Sequence, residues 1–404
     1  MAQPGQDLSL DATIQGPSSL NSAVTASASH ASLRGGARSR AVLPKSEVSA
    51  GGLRLVEVDR SRYEPVKPLG EGAFGVVELA VDHDIGRKVA IKRLRAEWHD
   101  PDTLSRFAQE IQTVGALEHP GIVPVHDVGL DDQGYFFVMK YVEGETLERV
   151  IARLAAGDRD YVARWPHEAR AELFLQLCRA VQFAHARGLV HRDIKPANVM
   201  VGAHGEVVLM DWGLAKFAKK PSTDGAGPQR GGGDEYGTLL GHAIGTPAYM
   251  SPEQARGEHD RTDARSDVYS LCAVYFELMG LQHYLGPKAD LDAILEAVKS
   301  ERPMGAIAMH HRLGIPPEHT WIIAKGLEKD PAMRFPTAGH LAQRVQAAIE
   351  GRGPVQCPCT GLKRAGGAWS RFIDRYPLLS LFLAGAGAAL AVVGLVAVVS
   401  TALR

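Results

Sequence analysis

The chain has 404 residues, with 45 lysines and arginines against 46 aspartates and glutamates, for a formal charge of −1. A balance so close to neutral excludes a protein that binds nucleic acid through the charge of its whole surface. Only four cysteines are present, which excludes a disulfide-stapled secreted scaffold and fits a reducing compartment. The N-terminus lacks a basic start followed by an apolar run, so no secretory signal is expected.

The first predicted segment, residues 1–55, is rich in Ala, Ser and Gly and carries no apolar periodicity. We expect it to be disordered, because it cannot bury enough apolar surface to offset the entropy lost on ordering. From Tyr63 the pattern changes, and β-rich runs at 76–81 and 88–94 flank a short polar turn. Together these runs predict a β-hairpin.

A helix is predicted next. Apolar residues recur at helical spacing from Phe107 to Leu117, and His119-Pro120 is expected to end the helix because proline cannot continue it. A second strand pair is then expected at 122–128 and 135–141, across a polar turn.

Beyond Gly144 the pattern is mostly helical, with buried helices expected at 268–279 and 321–327. One further predicted helix face consists of Phe174, Leu177, Cys178 and Val181. Because strands come first and helices after, the order predicts an α+β fold rather than alternating βαβ units. The Gly-rich segment 217–245 has few large apolar residues, and so long a stretch inside a domain carries function or is disordered.

Residues 378–399 form an apolar run whose only polar side chain is Ser380. The run is long enough to cross a bilayer as a helix, and a helix that is apolar all round needs apolar surroundings all round. We therefore predict a transmembrane helix at 378–399, preceded by a basic juxtamembrane linker at 350–377. From residue 352 onward, this linker sets a single acid, Asp374, against Arg352, Lys363, Arg364, Arg371 and Arg375.

That excess of positive charge predicts a single-pass protein of the inner or plasma membrane, with the N-terminal side in the cytoplasm. Tyr376 is expected at the level of the lipid headgroups. Small residues four apart, Gly385 with Ala389 and Gly387 with Ala391, allow close helix contact. The span is therefore also a candidate for homodimer formation.

A glycine pattern lies just before the first predicted hairpin: Gly70, Gly72 and Gly75 match G-x-G-x-x-G. Dinucleotide-binding folds use a similar pattern, but there the glycines lead from a strand into a helix. Here they lead into a second β-run and are expected at a hairpin tip. Without side chains, such a backbone can approach phosphates closely.

Lys92 lies inside the otherwise apolar strand Val89-Ala90-Ile91-Lys92. A buried lysine is costly unless anionic groups surround it. Phosphates would provide such groups, and so would Glu110 on the next predicted helix. A lysine on an edge strand is the structural alternative at this point.

The run from His191 to Met200 contains Asp193, Lys195 and Asn198, and Asp211 follows an apolar strand. Phosphoryl transfer from ATP needs a carboxylate that accepts the proton of the attacking hydroxyl, cations that neutralise phosphate charge, and ligands for Mg²⁺. Asp193 suits the base and Lys195 the transferring phosphoryl group. Asn198 and Asp211 offer the hard oxygen ligands that Mg²⁺ prefers.

These motifs resemble the eukaryotic-like protein kinases that bacteria use as Ser/Thr kinases, over about residues 63–349. The resemblance implies a bilobal fold with a β-rich N-lobe at 63–142 and a helical C-lobe at 143–349. ATP is the expected nucleotide, with Mg²⁺ as metal and Mn²⁺ as an alternative. The residues implied around the nucleotide are Leu69, Gly70, Glu71, Gly72, Ala73, Phe74, Gly75, Val77, Ala90, Lys92, Glu110, Met139, Tyr141, Val142 and Met200.

The resemblance also assigns roles in the second half of the chain. Residues 245–253 resemble the substrate-docking loop, whose Glu253 is expected to pair with Arg334. The segment from Asp267 resembles the helix that anchors the catalytic loop. Lys195 and Thr246 favour Ser/Thr over Tyr substrates. Two departures are that Trp212 replaces a phenylalanine and Cys272 a common glycine; neither touches the phosphate or metal positions.

The expected function is therefore that of a membrane-anchored Ser/Thr protein kinase that phosphorylates its own activation loop, the Gly-rich segment 217–245. Thr238 is the leading acceptor, and Ser222 and Thr223 are weaker candidates. Thr246 is a further candidate, although its family counterpart contacts the catalytic loop. The alternative, from another class, is a pseudokinase that serves as a membrane-tethered signalling scaffold.

Overall fold

The computed structural model describes residues 43, 45–49, 52–56, 60–71, 75–94, 101–212, 216–217, 247–354, 358–376, 379–383, 386 and 389–393. The predictions for residues 72–74, for the loop from 218 to 246 and for parts of the span at 378–399 lie outside the described residues. Among the phosphorylation candidates this applies to Ser222, Thr223, Thr238 and Thr246.

A two-stranded antiparallel hairpin comes first, formed by β1 (Lys45–Ser49) and β2 (Gly52–Val56). It corrects the prediction of disorder up to residue 55, because ordered strands occupy the last part of that segment. In the register of this hairpin, Val48 lies opposite Leu53. The alternation of Leu53, Arg54 and Leu55 is a strand pattern, but it is too short to stand out against the polar residues around it.

The main sheet has five antiparallel strands in the order β3-β4-β5-β7-β6. They are β3 (Tyr63–Glu71), β4 (Gly75–Asp82), β5 (Arg87–Leu94), β6 (Val125–Asp131) and β7 (Gly134–Lys140). Both predicted hairpins are confirmed, but β6 begins after Pro124 rather than at Ile122. Residues Ile122 and Val123 instead pair with Leu209 in the second half of the chain.

Between β5 and β6 lies the helix α1 (Pro101–Gly115). Its Phe107 packs with Leu94 and Phe137 in a small apolar cluster against the sheet. The helical spacing predicted this element correctly. Its end at Gly115 comes a few residues before His119-Pro120, where the chain turns toward β6.

The second half of the chain is helical, with short strands between the helices. The helices are α2 (Leu147–Ala155), α3 (Arg159–Arg164), α4 (His167–His185), α5 (Pro252–Ala255), α6 (Ala264–Gly280), α7 (Leu291–Ser300), α8 (Ala306–Leu313), α9 (Pro317–Gly326), α10 (Ala338–Ile349) and α11 (Pro358–Arg375). The strands are β8 (Gly144–Thr146), β9 (Leu189–Val190), β10 (Val199–Gly202), β11 (Val207–Leu209) and β12 (Lys216–Phe217). An α+β protein kinase fold with a β-rich N-lobe and a helical C-lobe is thereby confirmed.

The core of the C-lobe forms where α4 and α6 pack together. The rings of Phe174 and Tyr275 stack there with their centroids 3.9 Å apart. The predicted face of α4 is buried, as is nearly all of α6. The prediction of a buried helix at 321–327 is only partly right: Trp321 on α9 is 37% exposed, although Ile323 is fully buried.

Helix α6 approaches α9 closely at Cys272, which is fully buried. A Cβ atom placed on Gly326 would collide with the sulfur of Cys272. The cysteine side chain thus fills the space that a larger residue at 326 would need, as expected of a free cysteine that acts as a small apolar group.

The helix α11 occupies most of the segment 350–377, for which the sequence predicted a basic juxtamembrane linker but no helix. The Gly366-Gly367 pair and the many basic residues had concealed its helical period. Among the residues that the structure describes, no helix is both long and apolar enough to cross a membrane.

A buried ion pair joins two distant parts of the C-lobe. Arg334 donates from Nη1 and Nη2 to the two carboxylate oxygens of Glu253, at 2.8 and 2.9 Å. Both residues are almost completely buried, and Ser266 also donates to Glu253 at 2.6 Å. The pairing expected from the resemblance is confirmed. Burial raises the pKa of Glu253, but the bonds from Arg334 outweigh it and hold the pKa below its usual range.

Replacing Arg334 tests what this pair contributes. Arg334→Ala leaves the Glu253 carboxylate buried without its cation, so we expect the free energy of unfolding to fall by roughly 3–5 kcal/mol. The matched control is Arg261→Ala, which removes the exposed Arg261–Glu258 pair and should cost about 0.5 kcal/mol or less. Urea unfolding monitored by fluorescence measures both, and equal losses in the two variants would contradict the prediction.

Candidate active site

The predicted glycine loop lies at the turn between β3 and β4. Strand β3 ends at Glu71 and β4 begins at Gly75, with Gly70 opposite Val77 in the register. This confirms a hairpin instead of a strand-to-helix turn. Gly75 has no room for a side chain, because a Cβ there would collide with the backbone carbonyl of Arg93. Leu69, just before the glycines, is 41% exposed.

The apolar residues among those implied around the nucleotide come from both lobes. Ala90 on β5 lies directly opposite Met139 on β7. Val142, in the connection after β7, is buried, whereas Val77, Tyr141 and Met200 are half-buried. Met139 and Met200 both pack against the core cluster that contains Val142. Apolar side chains at the junction of the lobes are therefore partly open, as a flat aromatic ligand requires.

Lys92 has the anionic partners that its position demands. Its Nζ atom lies 2.6 Å from Oε1 of Glu110 on α1 and 3.3 Å from Oδ1 of Asp211, which follows β11. The prediction that Glu110 pairs with Lys92 is confirmed, and the edge-strand alternative is wrong because β5 lies between β4 and β7. One ammonium group thus connects the sheet, α1 and the C-lobe.

The ionisation of these three groups is coupled. Burial lowers the pKa of Lys92, but the carboxylates of Asp211 and Glu110 outweigh it and raise the pKa. The charge of Lys92 in turn lowers the pKa of Asp211, so this carboxylate stays ionised. Burial raises the pKa of Glu110 despite the attraction of Lys92. At neutral pH, Lys92 carries a charge that phosphates can share.

The run from Asp193 to Asn198 folds back on itself. Lys195 Nζ donates to Asp193 Oδ2 at 2.8 Å, and Asn198 Nδ2 donates to the same oxygen and to the backbone carbonyl of Asp193, both at 2.9 Å. These bonds hold the Asp193 carboxylate in one orientation. Both bonds of Asn198 use its nitrogen, which leaves Oδ1 available to a cation.

Asp267, at the start of α6, holds the run from His191 to Asn198, the catalytic loop, by hydrogen bonds. Its carboxylate accepts hydrogen bonds from the backbone N–H groups of His191 and Arg192, at 2.8 and 2.9 Å, and from Nε2 of His185 at 2.7 Å. Arg192 adopts a φ of 70°, a left-handed conformation that a non-glycine residue keeps only when its surroundings enforce it. The predicted anchoring by the Asp267 helix is confirmed.

Two supporting residues were missed by sequence reasoning. His185, the last residue of α4, reaches Asp267, and Gln254 donates from Nε2 to the Arg192 carbonyl at 2.9 Å. Gln254 also closes a capping box with Ser251 at the start of α5. The Ser251–Gln254 spacing could have indicated the cap, but no local signal points from either residue to the catalytic loop.

Asp211 and Trp212 follow β11 in a strained turn, with a φ of 59° at Asp211. Trp212 is almost fully buried, as expected for a large apolar residue at this position. Its ring centroid lies 4.5 Å from that of His191, whose Nε2 donates to the carbonyl of Met210 at 3.1 Å. The catalytic loop and the Asp211 turn are thus held together.

Arg192 has a buried side chain whose Nε atom lacks a hydrogen-bond partner among the described residues. A guanidinium group is always charged and favours an anionic partner. The segment predicted to supply a phosphate, 217–245, lies almost entirely outside the described residues.

The structure consists of a five-stranded sheet with one helix, followed by a helical lobe. Lys92 with its carboxylate partners and Asp193 lie where the two lobes meet. These features together define the protein kinase fold. The chain belongs to the protein kinase family: the model of the protein kinase domain matches residues 63–345. The relatives described next are named as bacterial serine/threonine-protein kinases.

Three of these relatives illustrate the similarity. A probable serine/threonine-protein kinase of Streptomyces coelicolor is 33% identical, over 79% of this chain and 44% of the relative. PknA of Mycobacterium tuberculosis is 35% identical, over 72% of this chain and 62% of the relative. PknD of Protochlamydia amoebophila is 29% identical, over 73% and 30%. The matched part spans less than two thirds of each relative's length.

The support from Asp267 leads to a prediction about pH. Burial raises the pKa of Asp267, but the bonds from His185 and the backbone outweigh it, so the pKa lies below its ordinary value of 3.8. A depressed carboxyl pKa stabilises the folded state above the unfolded pKa, and this stability is lost as pH falls through the folded pKa. Asp267→Asn cannot titrate, so its free energy of unfolding should fall less steeply between about pH 5 and about pH 3.

Urea unfolding at several pH values measures how steeply the free energy of unfolding changes with pH. The control is Asp132→Asn, an exposed residue in the β6–β7 turn, which should keep the wild-type pH dependence. An Asp267→Asn slope equal to that of wild type would show that Asp267 is not the stabilising carboxylate.

Proposed function

We propose that this chain is an ATP-dependent Ser/Thr protein kinase that transfers the γ-phosphate to hydroxyl groups of proteins. The observation that carries the proposal is the set of contacts around Lys92, which bonds both Glu110 and Asp211 across the two lobes. The Streptomyces and Mycobacterium relatives carry the same activity in their names, and this supports the proposed substrate class.

At the nucleotide end of the site, Lys92 would neutralise the charge of the α- and β-phosphates. Glu110 fixes the ammonium group from α1, so Lys92 keeps its position while its partner changes from a carboxylate to a phosphate. The half-buried Val77, Met139 and Met200 would contact the adenine ring, and the backbone of 140–142 would bind its polar edge. The glycine turn would let the backbone approach the phosphates closely, because glycines carry no side chains.

At the transfer end, Asp193 would accept the proton of the substrate hydroxyl. The oxygen of that hydroxyl would bond to the γ-phosphorus while the bond between the γ-phosphorus and the β–γ bridging oxygen breaks. Lys195 and Asn198 orient Asp193 in advance, since both donate to its Oδ2 atom. Lys195 also brings a positive charge next to the oxygens on which negative charge develops. Preorganised charges of this kind are usually the largest contribution to catalysis.

The residues present also fit a magnesium ion. Asp211 is ionised and Asn198 has a carbonyl oxygen that its own hydrogen bonds leave unused, so both provide the hard oxygen atoms that Mg²⁺ or Mn²⁺ accepts. When bound, the metal would neutralise charge on the β- and γ-phosphates. The pseudokinase scaffold remains the alternative, and nothing in the geometry of Lys92, Asp193 or Asp211 favours it.

We also propose regulation by autophosphorylation of the activation loop. The buried Arg192 lies beside the catalytic Asp193 and has an unpaired Nε atom among the described residues. A phosphate on Thr238, or on Ser222 or Thr223, would supply about two negative charges for this arginine. Such a pair would connect the loop to the catalytic residues.

The third part of the proposal is location. The sequence of residues 378–399 contains a single polar side chain, and basic residues precede it. These two features support a single-pass anchor in the inner or plasma membrane with the kinase domain in the cytoplasm, where ATP is available. The small residues of this segment support pairing of two chains, which would bring one activation loop to the other active site.

Activity tests the assignment of Lys92. Lys92→Met removes a charge that stabilises the transition state, so phosphorylation of a generic protein substrate with labelled ATP and Mg²⁺ should fall about 10²- to 10³-fold. Lys88→Met is the matched control, because Lys88 lies on the same strand with a side chain 58% exposed. Asp193→Asn should be inactive, and wild-type turnover in it would reject Asp193 as the base. A wild-type protein no more active than this variant would favour a scaffold over a kinase.

Mass spectrometry tests the loop. Active protein should carry phosphate within residues 217–245, foremost on Thr238, while Asp193→Asn protein prepared in the same way should carry none. Arg192→Ala should lower the activity of the phosphorylated protein to that of phosphatase-treated wild type. Active protein without any modification in this loop would contradict the proposal.

Cell fractionation tests the anchor. We expect the full chain to sediment with membranes and to need detergent for release, because an apolar helix partitions into the bilayer. A chain truncated after residue 350 should remain in the supernatant and keep its kinase activity. Recovery of the full chain in the soluble fraction without detergent would show that residues 378–399 are no anchor.

A further inference from the structure

The helix α11 carries apolar and aromatic residues on one side. Successive residues of a helix turn by about 100°, which places Leu362, Trp369, Ile373 and Tyr376 on the same side. Their side chains are 76%, 50%, 40% and 45% exposed, in that order. The rings of Trp369 and Phe372 stack with centroids 5.6 Å apart. So much exposed apolar surface on one helix indicates an interaction site.

Among the described residues, α11 is buried only near its beginning. Thr360, in its first turn, is 6% exposed, whereas every described side chain from Leu362 to Tyr376 is exposed or half-buried. Within the described part of the chain, the apolar side therefore has no cover beyond its own stacked rings.

The opposite side of α11 is basic. Helical spacing puts positions 363, 364, 371 and 375 there, and all four are Lys or Arg, with Asp374 as the single acid of the helix. Arg364 and Arg375 are exposed. A helix with Trp and Leu on one side and Lys and Arg on the other has the composition of helices that lie in the surface of an anionic bilayer.

Tyr376 lies at the junction between α11 and the apolar run at 378–399. Its N–H donates to the carbonyl of Phe372, which closes the last turn of α11, and its own carbonyl accepts from the N–H of Ser380, at 2.9 Å in both cases. The same residue thus ends one helical segment and caps the next. In the sequence the next residue is a proline, which is favoured at the first position of a helix.

We propose that α11 is an interfacial helix that binds the surface of a bilayer rich in anionic phospholipid. Its apolar side would enter the acyl boundary while its arginines contact phosphate headgroups. The occupant is a lipid surface because the basic side complements anionic headgroups, Trp369 and Tyr376 suit the headgroup region, and the apolar run at 378–399 begins within a few residues. The inference rests on the anchor proposed above and specifies the lipid that it meets.

The test uses the full chain reconstituted into vesicles of phosphatidylcholine with an equal amount of phosphatidylglycerol. Brominated acyl chains quench tryptophans that reach the acyl boundary. We expect quenching of Trp369, seen as a lipid-dependent loss of emission that disappears in Trp369→Phe. The matched control is Trp321→Phe, because Trp321 is partly exposed on α9 but lies outside the proposed contact; this variant should keep the quenching.

Charge is tested in the same vesicles. The double substitution Arg364→Gln and Arg375→Gln should reduce the population of bound helix, since each basic residue near an anionic surface contributes about fivefold to binding. The quenching should therefore weaken in this variant, as it should for wild type in vesicles of phosphatidylcholine alone. Arg312→Gln, an exposed arginine on α8, should leave it unchanged.

Three results would overturn the inference. The first is a full chain that sediments with vesicles while Trp369 emission is insensitive to brominated lipid. The second is quenching that does not depend on anionic lipid or on the two arginines. The third is a shift of Trp369 emission that depends on protein concentration rather than lipid, which would assign the apolar side to a second copy of the chain.

Sedimentation and Trp369 quenching together distinguish a failure of the interfacial-helix proposal from a failure of the membrane anchor. If the full chain fails to sediment with membranes, the anchor is wrong. Quenching of Trp369 on addition of anionic vesicles to that soluble chain then supports α11 as a lipid-binding helix, and its absence rejects it.

Discussion

The ammonium group of Lys92 is the constraint on which the site depends. A cation in the interior of a sheet is tolerated only when carboxylates approach it from outside the sheet, and here they come from α1 and from the turn after β11. The two lobes must therefore meet at this point for the charge to be balanced. The same sheet also positions the glycine turn and three of the residues proposed to contact adenine: Val77, Ala90 and Met139.

A second buried charge performs the corresponding role in the C-lobe. Asp267 accepts hydrogen bonds from two backbone N–H groups and from the imidazole of His185. These bonds fix the left-handed conformation at Arg192 and therefore the orientation of Asp193. In the proposed mechanism, Lys92 and Asp267 act on opposite ends of the reaction: Lys92 would contact the nucleotide, and Asp267 would orient the loop that carries the proton-accepting Asp193. Each is expensive to bury and specific in its partners.

Much of this arrangement could be predicted from sequence because it depends on local signals. The strand–turn–strand patterns predicted the two hairpins, and the charge of Lys92 within an apolar strand predicted its pairing with Glu110. The parts that could not be predicted depend on neighbours distant in the chain. Nothing near His185 or Gln254 reveals that these side chains meet the catalytic loop, and the glycines and arginines of α11 concealed its period. Ile122 lies outside β6, contrary to the prediction, because it forms a β-bridge with Leu209, which belongs to the other lobe.

The contact between Cys272 and Gly326 has a consequence for how this domain can vary. The two helices approach so closely that one thiol occupies the space available to both positions. Gly326→Ala alone would force α6 and α9 apart, whereas the same change combined with Cys272→Gly would move the volume from one helix to the other and keep the packing. A larger residue at 326 therefore requires a smaller residue at 272, whereas a smaller residue at 272 alone leaves only a small cavity between the two helices.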